Sequence, residues 1–459
     1  MTRRPAKPLA ALAALALLAG CTAVAPDGGF GPVADTAAAR IGARPQLARD
    51  DAAARAISDT VRTELERPLD MDAAVRIALV NSPALQATYW NVGIAQADMA
   101  QAARLHNPAI GFQRMSGQGD VEIERSLTFD LAGLLTMPLA ARLEARRYDA
   151  VRREVGAAIE RHALAVRLAW IAAVAARQDL DYARQVNAAA EAGAELAGRM
   201  TRAGNLAQLD RAREQVFHAE SAAALARADR QAMAAREKLA RLLGLWGADT
   251  QFTLPQRLPD LPAAPAELRD VERIALERRL DVQAARADAQ ATARSLGLTR
   301  TTRFVNALEL GYAGKSETGA PSARGYALSL EVPLFDWGDA RVARAEAIYM
   351  QAVQRLAEAA VTARSEARDR YLAYRTAYDV ATHYRDTVIP LRKRISREVL
   401  LRYNGMLAST HELLADAREQ AAAVNAAIAA QQDFWTAHAE LEAALGQQVP
   451  RNQHKEHAE

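Results

Sequence analysis

Two stretches of this chain repeat one another 197 residues apart, and that duplication limits its possible folds more than any other feature. Val75 to Ala87 reads VRIALVNSPALQA and Glu272 to Ala284 reads ERIALERRLDVQA, with identities at Arg76/Arg273, Ile77/Ile274, Ala78/Ala275, Leu79/Leu276, Gln86/Gln283 and Ala87/Ala284. Each copy continues as a helix, two short alternating segments and a very long helical tract. A repeat of this length is a duplicated domain half and not a short solenoid unit. Pro255, Pro259, Pro262 and Pro265 punctuate the join, so the copies are expected at 68–254 and 266–447 with a proline-rich connection at 255–265. The expected fold class is mainly α, a duplicated helix-hairpin-helix unit with four strands per chain.

The alternating segments decide the environment. Val121, Ile123, Leu127, Phe129 and Leu131 fall on one strand face, broken once by Arg125, while Glu122, Glu124, Ser126, Thr128 and Asp130 fall on the other. In the second copy Tyr326, Leu328, Leu330, Val332 and Leu334 alternate with Ala327, Ser329 and Glu331. A period of two is the signature of a strand with unlike faces. Their expected partners are Ala109 to Ser116 and Phe304 to Tyr312, joined through turn-rich Gly117 to Asp120 and Gly314 to Ala323. Strands of this length approach the ~9 to 11 residues that cross a bilayer at a tilt. Four strands cannot close a barrel, and an open sheet edge is not tolerated in hydrocarbon. Three chains would supply twelve, with apolar residues toward lipid and carboxylates toward a wet lumen. The alternative is a pair of amphipathic hairpins packed on a soluble helical domain.

The helical tracts match that scale. From Leu139 to Thr201 the chain has no proline over 63 residues, which would extend ~95 Å as one helix. Abundant alanine allows close helix packing, and charged positions keep the other face wet, as in the wall of a helical tube. Arg202, Ala203, Gly204 and Asn205 interrupt the first tract, and Arg402, Tyr403, Asn404 and Gly405 the second. Glycine and asparagine suit helix reversals, and Pro390 is expected to kink its helix. From Gly204 to Ala212 is eight steps, but from Gly405 to Ala417 is twelve, which predicts tips of different shape.

The amino terminus carries its own signal. Arg3, Arg4 and Lys7 precede the apolar run Leu9 to Ala19, and Leu18 to Cys21 reads LAGC. This resembles a bacterial lipoprotein signal peptide at 1–20, with Cys21 accepting a covalent lipid. Cys21 is the only cysteine, so the chain has no internal disulfide. An apolar run of this length is too short for a ~30 Å hydrocarbon core. By the same resemblance, the absence of aspartate at Thr22 points to the outer membrane. The Gly/Pro/Ala-rich 21–67 is expected as a lipid-anchored linker, and 448–459 as a polar tail. The formal charge of +3 falls to 0 once Arg3, Arg4 and Lys7 are removed, so no basic excess argues for nucleic acid.

Pro333, Leu334, Phe335, Asp336, Trp337, Gly338, Asp339, Ala340 and Arg341 read PLFDWGDAR, which resembles the strand-to-helix signature of TolC-like outer-membrane efflux proteins. Arg402 to Gln420, RYNGMLASTHELLADAREQ, is similar to that family's second periplasmic turn. The resemblance covers roughly Leu69 to Gln447. It implies a homotrimer whose twelve-stranded barrel in the outer membrane continues as an α-helical barrel through the periplasm. Such a tunnel would passively conduct substrate from an inner-membrane transporter, proton-driven by analogy, through a periplasmic adaptor. Gly204, Asn205, Leu206, Ala207, Gly405, Met406, Leu407 and Ala408 would form the adaptor-docking tip, and Asp210, Glu412 and Asp416 would ring a periplasmic aperture. The first copy departs from the signature: Asp130 stands where the second has Pro333, and Gly133 and Pro138 take the place of the PLFDWG turn.

Catalytic motifs do not assemble. The GKS of Gly314, Lys315 and Ser316 lacks a phosphate loop's first glycine, since Glu309 holds that position. His411 and Glu412 start an HExxH-like string, but Ala415 stands where the second histidine is needed. His454 and His457 belong to the polar tail. No cofactor is expected besides the lipid, and no metal site or enzymatic activity. The other readings are a lipid-anchored periplasmic coiled-coil scaffold and a type I protein secretion conduit. Cargo is expected to be heavy metals or drugs, the metal analogy resting on the wording GML…ELLADAR.

Overall fold

The computed structural model describes residues 25–117, 120–302, 308–330, 335 and 337–449. Its elements in chain order are α1 Gly31–Ile41, α2 Asp51–Leu65, α3 Met71–Asn81, α4 Pro83–Ala102, β1 Ala109–Gly117, β2 Asp120–Asp130, α5 Leu131–Arg202 and α6 Gln208–Leu243. After a short 3-10 turn at Gly247–Thr250 come α7 Val271–Arg278, α8 Leu280–Thr302, β3 Leu308–Glu317, β4 Ala323–Leu330, α9 Asp339–His383, α10 Ile389–Asn404 and α11 Thr410–Leu445. The fold is mainly α with one four-stranded sheet.

The duplication holds at the level of single bonds. Ser82 separates α3 from α4 in an extended conformation, and its N–H still donates to Ala78. Arg279, 197 residues later, separates α7 from α8 in the same way and donates to Ala275. The two returning helices, α6 and α11, are each 36 residues long. Both end at a left-handed glycine, Gly244 (φ 71°) and Gly446 (φ 63°). A Cβ on Gly244 would press against the backbone of Asn81 and Ser82, and one on Gly446 would press against Arg278. Each glycine thus seats its helix end on the helix break of its own repeat.

The compact units do not follow the repeats. One unit draws on Met1–Val33, Tyr89–Val155 and Asp281–Ala359, the other on Ala34–Thr88, Gly156–Leu280 and Ala360–Glu459. The first holds the sheet. All three pairings are antiparallel in the order β1-β2-β3-β4, so the two hairpins join along β2 and β3, with Phe129 opposite Leu310. β3 continues through Gly314 to Glu317, which shortens the expected turn to residues 318–322. Leu131, expected on a strand, instead opens α5, and α5 runs through Pro138 without ending. Asp130 makes that start possible by accepting from the Gly133 N–H at 2.7 Å and facing His106 at 2.8 Å.

In the second unit, Ile159, Val166 and Trp170 of α5, Leu239 and Leu243 of α6, and Phe434, Leu441 and Leu445 of α11 are buried. The Trp170 indole donates to the Leu69 carbonyl at 2.7 Å. Arg167 and Glu442 form a buried ion pair at 2.7 Å, and the Val449 N–H donates to the same carboxylate. The proline-rich connection is strapped down by side chains: Trp435 and Gln431 donate to Pro259, and Tyr378 donates to Pro262 and Ala263. Proline has no N–H, so such a strand offers carbonyls and needs side-chain donors to hold it.

Residues 21–67, expected as a linker, contain α1 and α2 with Val33, Ala37, Ile57 and Val61 buried. Asp50 caps α2 through the Ala53 N–H at 2.8 Å. Pro390 does not break its helix. A π turn at Tyr384–Val388 precedes it, and the Ile389 N–H reaches five residues back to Tyr384, which absorbs proline's missing donor within a continuing helix.

Candidate functional site

Strand register sorts the sheet into two unlike faces, because residues opposite one another in an antiparallel pair point the same way. Glu122, Glu124, Ser126 and Thr128 share a face with Gln113, Ala313, Lys315, Glu317, Ala323 and Ala327. Lys315 pairs with Glu122 there at 2.9 Å. The other face carries Ile110, Phe112, Leu127, Phe129, Leu310, Tyr312, Tyr326 and Leu328. Ile110 is 83% exposed and Tyr326 84%, with Phe112 and Leu328 also largely bare. An exposed apolar sheet face of this extent marks a surface that meets lipid or another protein surface. Among the described residues β1 and β4 are the two edges of the sheet, each presenting an unpaired row of backbone groups. The GKS string lies inside β3, and the ion pair with Glu122 occupies its lysine.

The two helix reversals belong to the second unit. The tips were expected to differ in shape, but each turn has five residues, 203–207 and 405–409. The unequal step counts run to the string Ala-Arg-Glu-Gln, AREQ, which both copies carry. It begins at Ala212 and Ala417, 205 residues apart, whereas the turns and the ends of α6 and α11 are 202 apart. A three-residue displacement is close to one helical turn, so the string keeps roughly its face while moving along the axis. The left-handed residue is Gly204 (φ 80°) in the first turn but Met406 (φ 60°) in the second. Gly405, expected to make that reversal, stays at φ −82°. Asn205 donates back to Met200 at 2.9 Å and Leu407 to Arg402 at 2.8 Å, so the same closing bond forms in both.

Of the tip residues, Met406 is 94% and Leu407 78% exposed, Gly204, Asn205, Ala207 and Gly405 are exposed, and Leu206 and Ala408 are half-buried. Leu209, bare at the start of α6, adds an apolar group that the turn motif did not single out. Asp210 pairs with Arg213 at 3.1 Å. Glu412 closes a capping box with Ser409, whose hydroxyl accepts from the Glu412 N–H while its own N–H donates to the Glu412 carboxylate. Asp416 is buried, with one oxygen lacking a hydrogen-bond partner among the described residues. Its counterpart at the structural offset is Glu214, also buried, which accepts from Arg418 at 2.8 Å. Glu214 was hidden by the displaced AREQ string.

In the strand-to-helix signature, Phe335 and Trp337 are exposed, and Gly338 takes φ 78° immediately before α9. Pro333, Leu334 and Asp336 lie outside the described residues, as do Cys21, Phe304, Val332, His454 and His457. Among the described residues no group of three or more His, Cys, Asp or Glu gathers as a metal site, and no helix is long and apolar enough to cross a membrane.

No protein-family model matches the chain. It is 28% identical over 330 residues to Protein CyaE of Bordetella pertussis, covering 64% of this chain and 68% of that protein. Among solved structures, CusC superposes with a TM-score of 0.69 at 16% identity, covering 83% of this chain and 92% of its own. The outer membrane channel CmeC of Campylobacter jejuni superposes at 0.68 with 15% identity, covering 83% and 87%. At these identities the likeness is one of fold.

Proposed function

Starting from a chain with the fold of the TolC-like outer-membrane channels, we propose that it is one protomer of a homotrimeric efflux conduit. The observation that carries this reading is the sheet: four strands, one bare apolar face, one charged face and two open edges. Three copies joined edge to edge make a twelve-stranded barrel that leaves no edge in lipid. The face bearing Glu122, Glu124 and Lys315 then lines water, and the long helices continue the passage through the periplasm. A lipid on Cys21 tethers the trimer to the outer membrane.

The conduit is passive. Its energy comes from an inner-membrane transporter, proton-driven by analogy, reached through a periplasmic adaptor that docks on the tips at Gly204–Ala207 and Gly405–Ala408. The exposed Met406 and Leu407 supply apolar surface for that docking. Asp210 and Glu412 form the acidic constriction near the same tips, with the buried Asp416 behind them, and negative charge repeated about a threefold axis favours cations. Neutralising all three should lower cation selectivity in planar bilayers, and unchanged selectivity would remove the aperture assignment. A coiled-coil scaffold would have no use for the bare apolar sheet.

The deciding experiment is purification of the full chain from outer membranes. A trimer that forms discrete conducting channels supports the reading, and a monomer without conductance refutes it. A deletion strain tested against copper, silver, zinc and cadmium salts beside dyes and lipophilic antibiotics then separates metal from drug cargo.

A further inference from the structure

Arg125 is the single interruption of the apolar strand face in the first repeat, and the register shows that it is not alone there. Arg125 lies opposite Gly314, and Gly314 lies opposite Arg324, so the two arginines flank one glycine in a single row across three strands. Arg114 joins the same face one row nearer the hairpin ends, opposite Ile123. All three side chains are exposed. The face they share carries no Asp or Glu along the four strands. Lys315, on the opposite face, has its own carboxylate, whereas Arg114, Arg125 and Arg324 make no ion pair among the described residues.

Between the flanking arginines the surface is notched. A Cβ on Gly314 would meet nothing nearer than the Arg125 carbonyl at 3.9 Å. The resulting hollow of about 310 Å³ is walled by Arg125, Arg324 and Tyr312. Tyr312 and Tyr326, with rings 5.5 Å apart, lie in the next row toward the helices. Along β3 and β4 the order is therefore Leu310 and Leu328, the tyrosine pair, then Gly314 and Arg324 toward the hairpin ends; on β1 and β2 the arginines are interleaved with Phe112 and Ile123. The order on β3 and β4 is that of a bilayer leaflet from hydrocarbon to headgroup.

Unpaired guanidinium groups at the edge of a lipid-facing band call for anions supplied by the lipid, and the fork of arginine matches phosphate oxygens two at a time. We infer that Arg125, Arg324 and the Gly314 notch form a binding site for a lipid phosphate, with Arg114 adding charge, and that the occupant is the phosphorylated lipopolysaccharide of the outer leaflet. The assignment rests on the channel reading, which points this face at lipid and the hairpin ends away from the periplasmic helices. The site would hold the barrel at a defined depth.

The test uses the full-length trimer reconstituted in nanodiscs and counts lipopolysaccharide retained per trimer by mass spectrometry. The Arg125→Gln/Arg324→Gln double variant should retain about tenfold less, with conductance unchanged because neither side chain faces the lumen. Arg125→Lys/Arg324→Lys should fall between, since it keeps charge without the fork. Dephosphorylated lipopolysaccharide should fail to compete. Retention equal to the parent in the Gln variant, equal binding of the dephosphorylated lipid, or saturation by inorganic phosphate alone would each overturn the lipid assignment. A Leu328→Cys reporter separates the two levels. If a water-soluble maleimide labels it freely in outer-membrane vesicles, the channel reading fails with the site, and if it is protected while retention is unchanged, only the site fails.

Discussion

The two repeats place the same glycine-ended helix on the same helix break, yet they fasten that joint by different means. In the first, Asn81 at the end of α3 turns its amide onto the carbonyls of Leu243 and Gly244, at 2.9 and 3.0 Å. In the second, the residue 197 positions on is Arg278, whose carbonyl is itself in need of a donor. Arg40, at the end of α1, provides it: its guanidinium donates to the carbonyls of Arg278 and Gly446 and pairs with Glu160 at 2.5 Å. One repeat closes its joint from within; the other borrows a side chain from the amino-terminal segment. Duplication copied the geometry, and the second copy became dependent on a segment that lies outside both repeats.

That difference can be broken directly. Arg40→Ala removes a donor from two carbonyls and breaks the ion pair with Glu160, and should cost about 2–4 kcal/mol, read as a lower unfolding temperature of the purified protein by circular dichroism. Adding Arg278→Asn should restore about 1 kcal/mol by rebuilding the first repeat's solution; no recovery would mean the two joints are not interchangeable. Asn81→Ala, which removes only a neutral donor, should cost about 1–2 kcal/mol.

The joint glycines sharpen the comparison. Both are left-handed, so alanine costs about 1–2 kcal/mol at either. At Gly244 the added carbon would also meet the Asn81 carbonyl at 2.6 Å and the Ser82 Cα at 3.0 Å, whereas at Gly446 the nearest atom is a side-chain terminus, the Arg40 guanidinium, at 2.9 Å, and the Arg278 backbone stands no nearer than 3.2 Å. Thermal melts should therefore rank Gly244→Ala as the more damaging, and equal melts would show that the backbone contact relaxes.

A smaller asymmetry is set by pH. His162 approaches the Leu242 carbonyl at 3.0 Å, and burial holds its imidazole below the usual histidine range. The unfolded chain then takes up the proton first, so stability should fall as pH drops from above the unfolded histidine value toward the lower folded one. Position 364, at the 202-residue offset, is an arginine paired with Glu272, so the second repeat has no histidine there. His162→Gln should flatten that part of the pH–stability profile, and an unchanged slope would assign it elsewhere. The smallest effect belongs to the tips: Met406→Gly should relieve about 1 kcal/mol of left-handed strain, while Gly204→Met should add a similar amount, both measurable in urea midpoints.

Much of this was legible beforehand because it is local. Alternation at Val121 to Phe129 follows from the two-residue pleat, and the break near Gly204 follows from the torsions that glycine allows, whereas the break at Ser82 was not read from the sequence. The tips were legible as turns, but not in detail. Met406 took the left-handed place expected of Gly405, because the turn's closing bond from Leu407 to Arg402 fixes which residue must reverse. The alignment through AREQ failed because identity reports letters, whereas equal helix lengths between turn and cap report position.

By itself the sequence determined the two copies, their order of elements and the unlike faces of each hairpin. These depend on backbone periodicity within a few residues. Only the tertiary structure decided that the hairpins join through β2 and β3, that Arg125 and Arg324 meet across Gly314, and that α1 and α2 enter the core instead of trailing as a tether. Each of those choices pairs residues far apart in the chain, and such pairings are set by which carbonyl lacks a donor and which apolar face lacks a neighbour once the helices have packed.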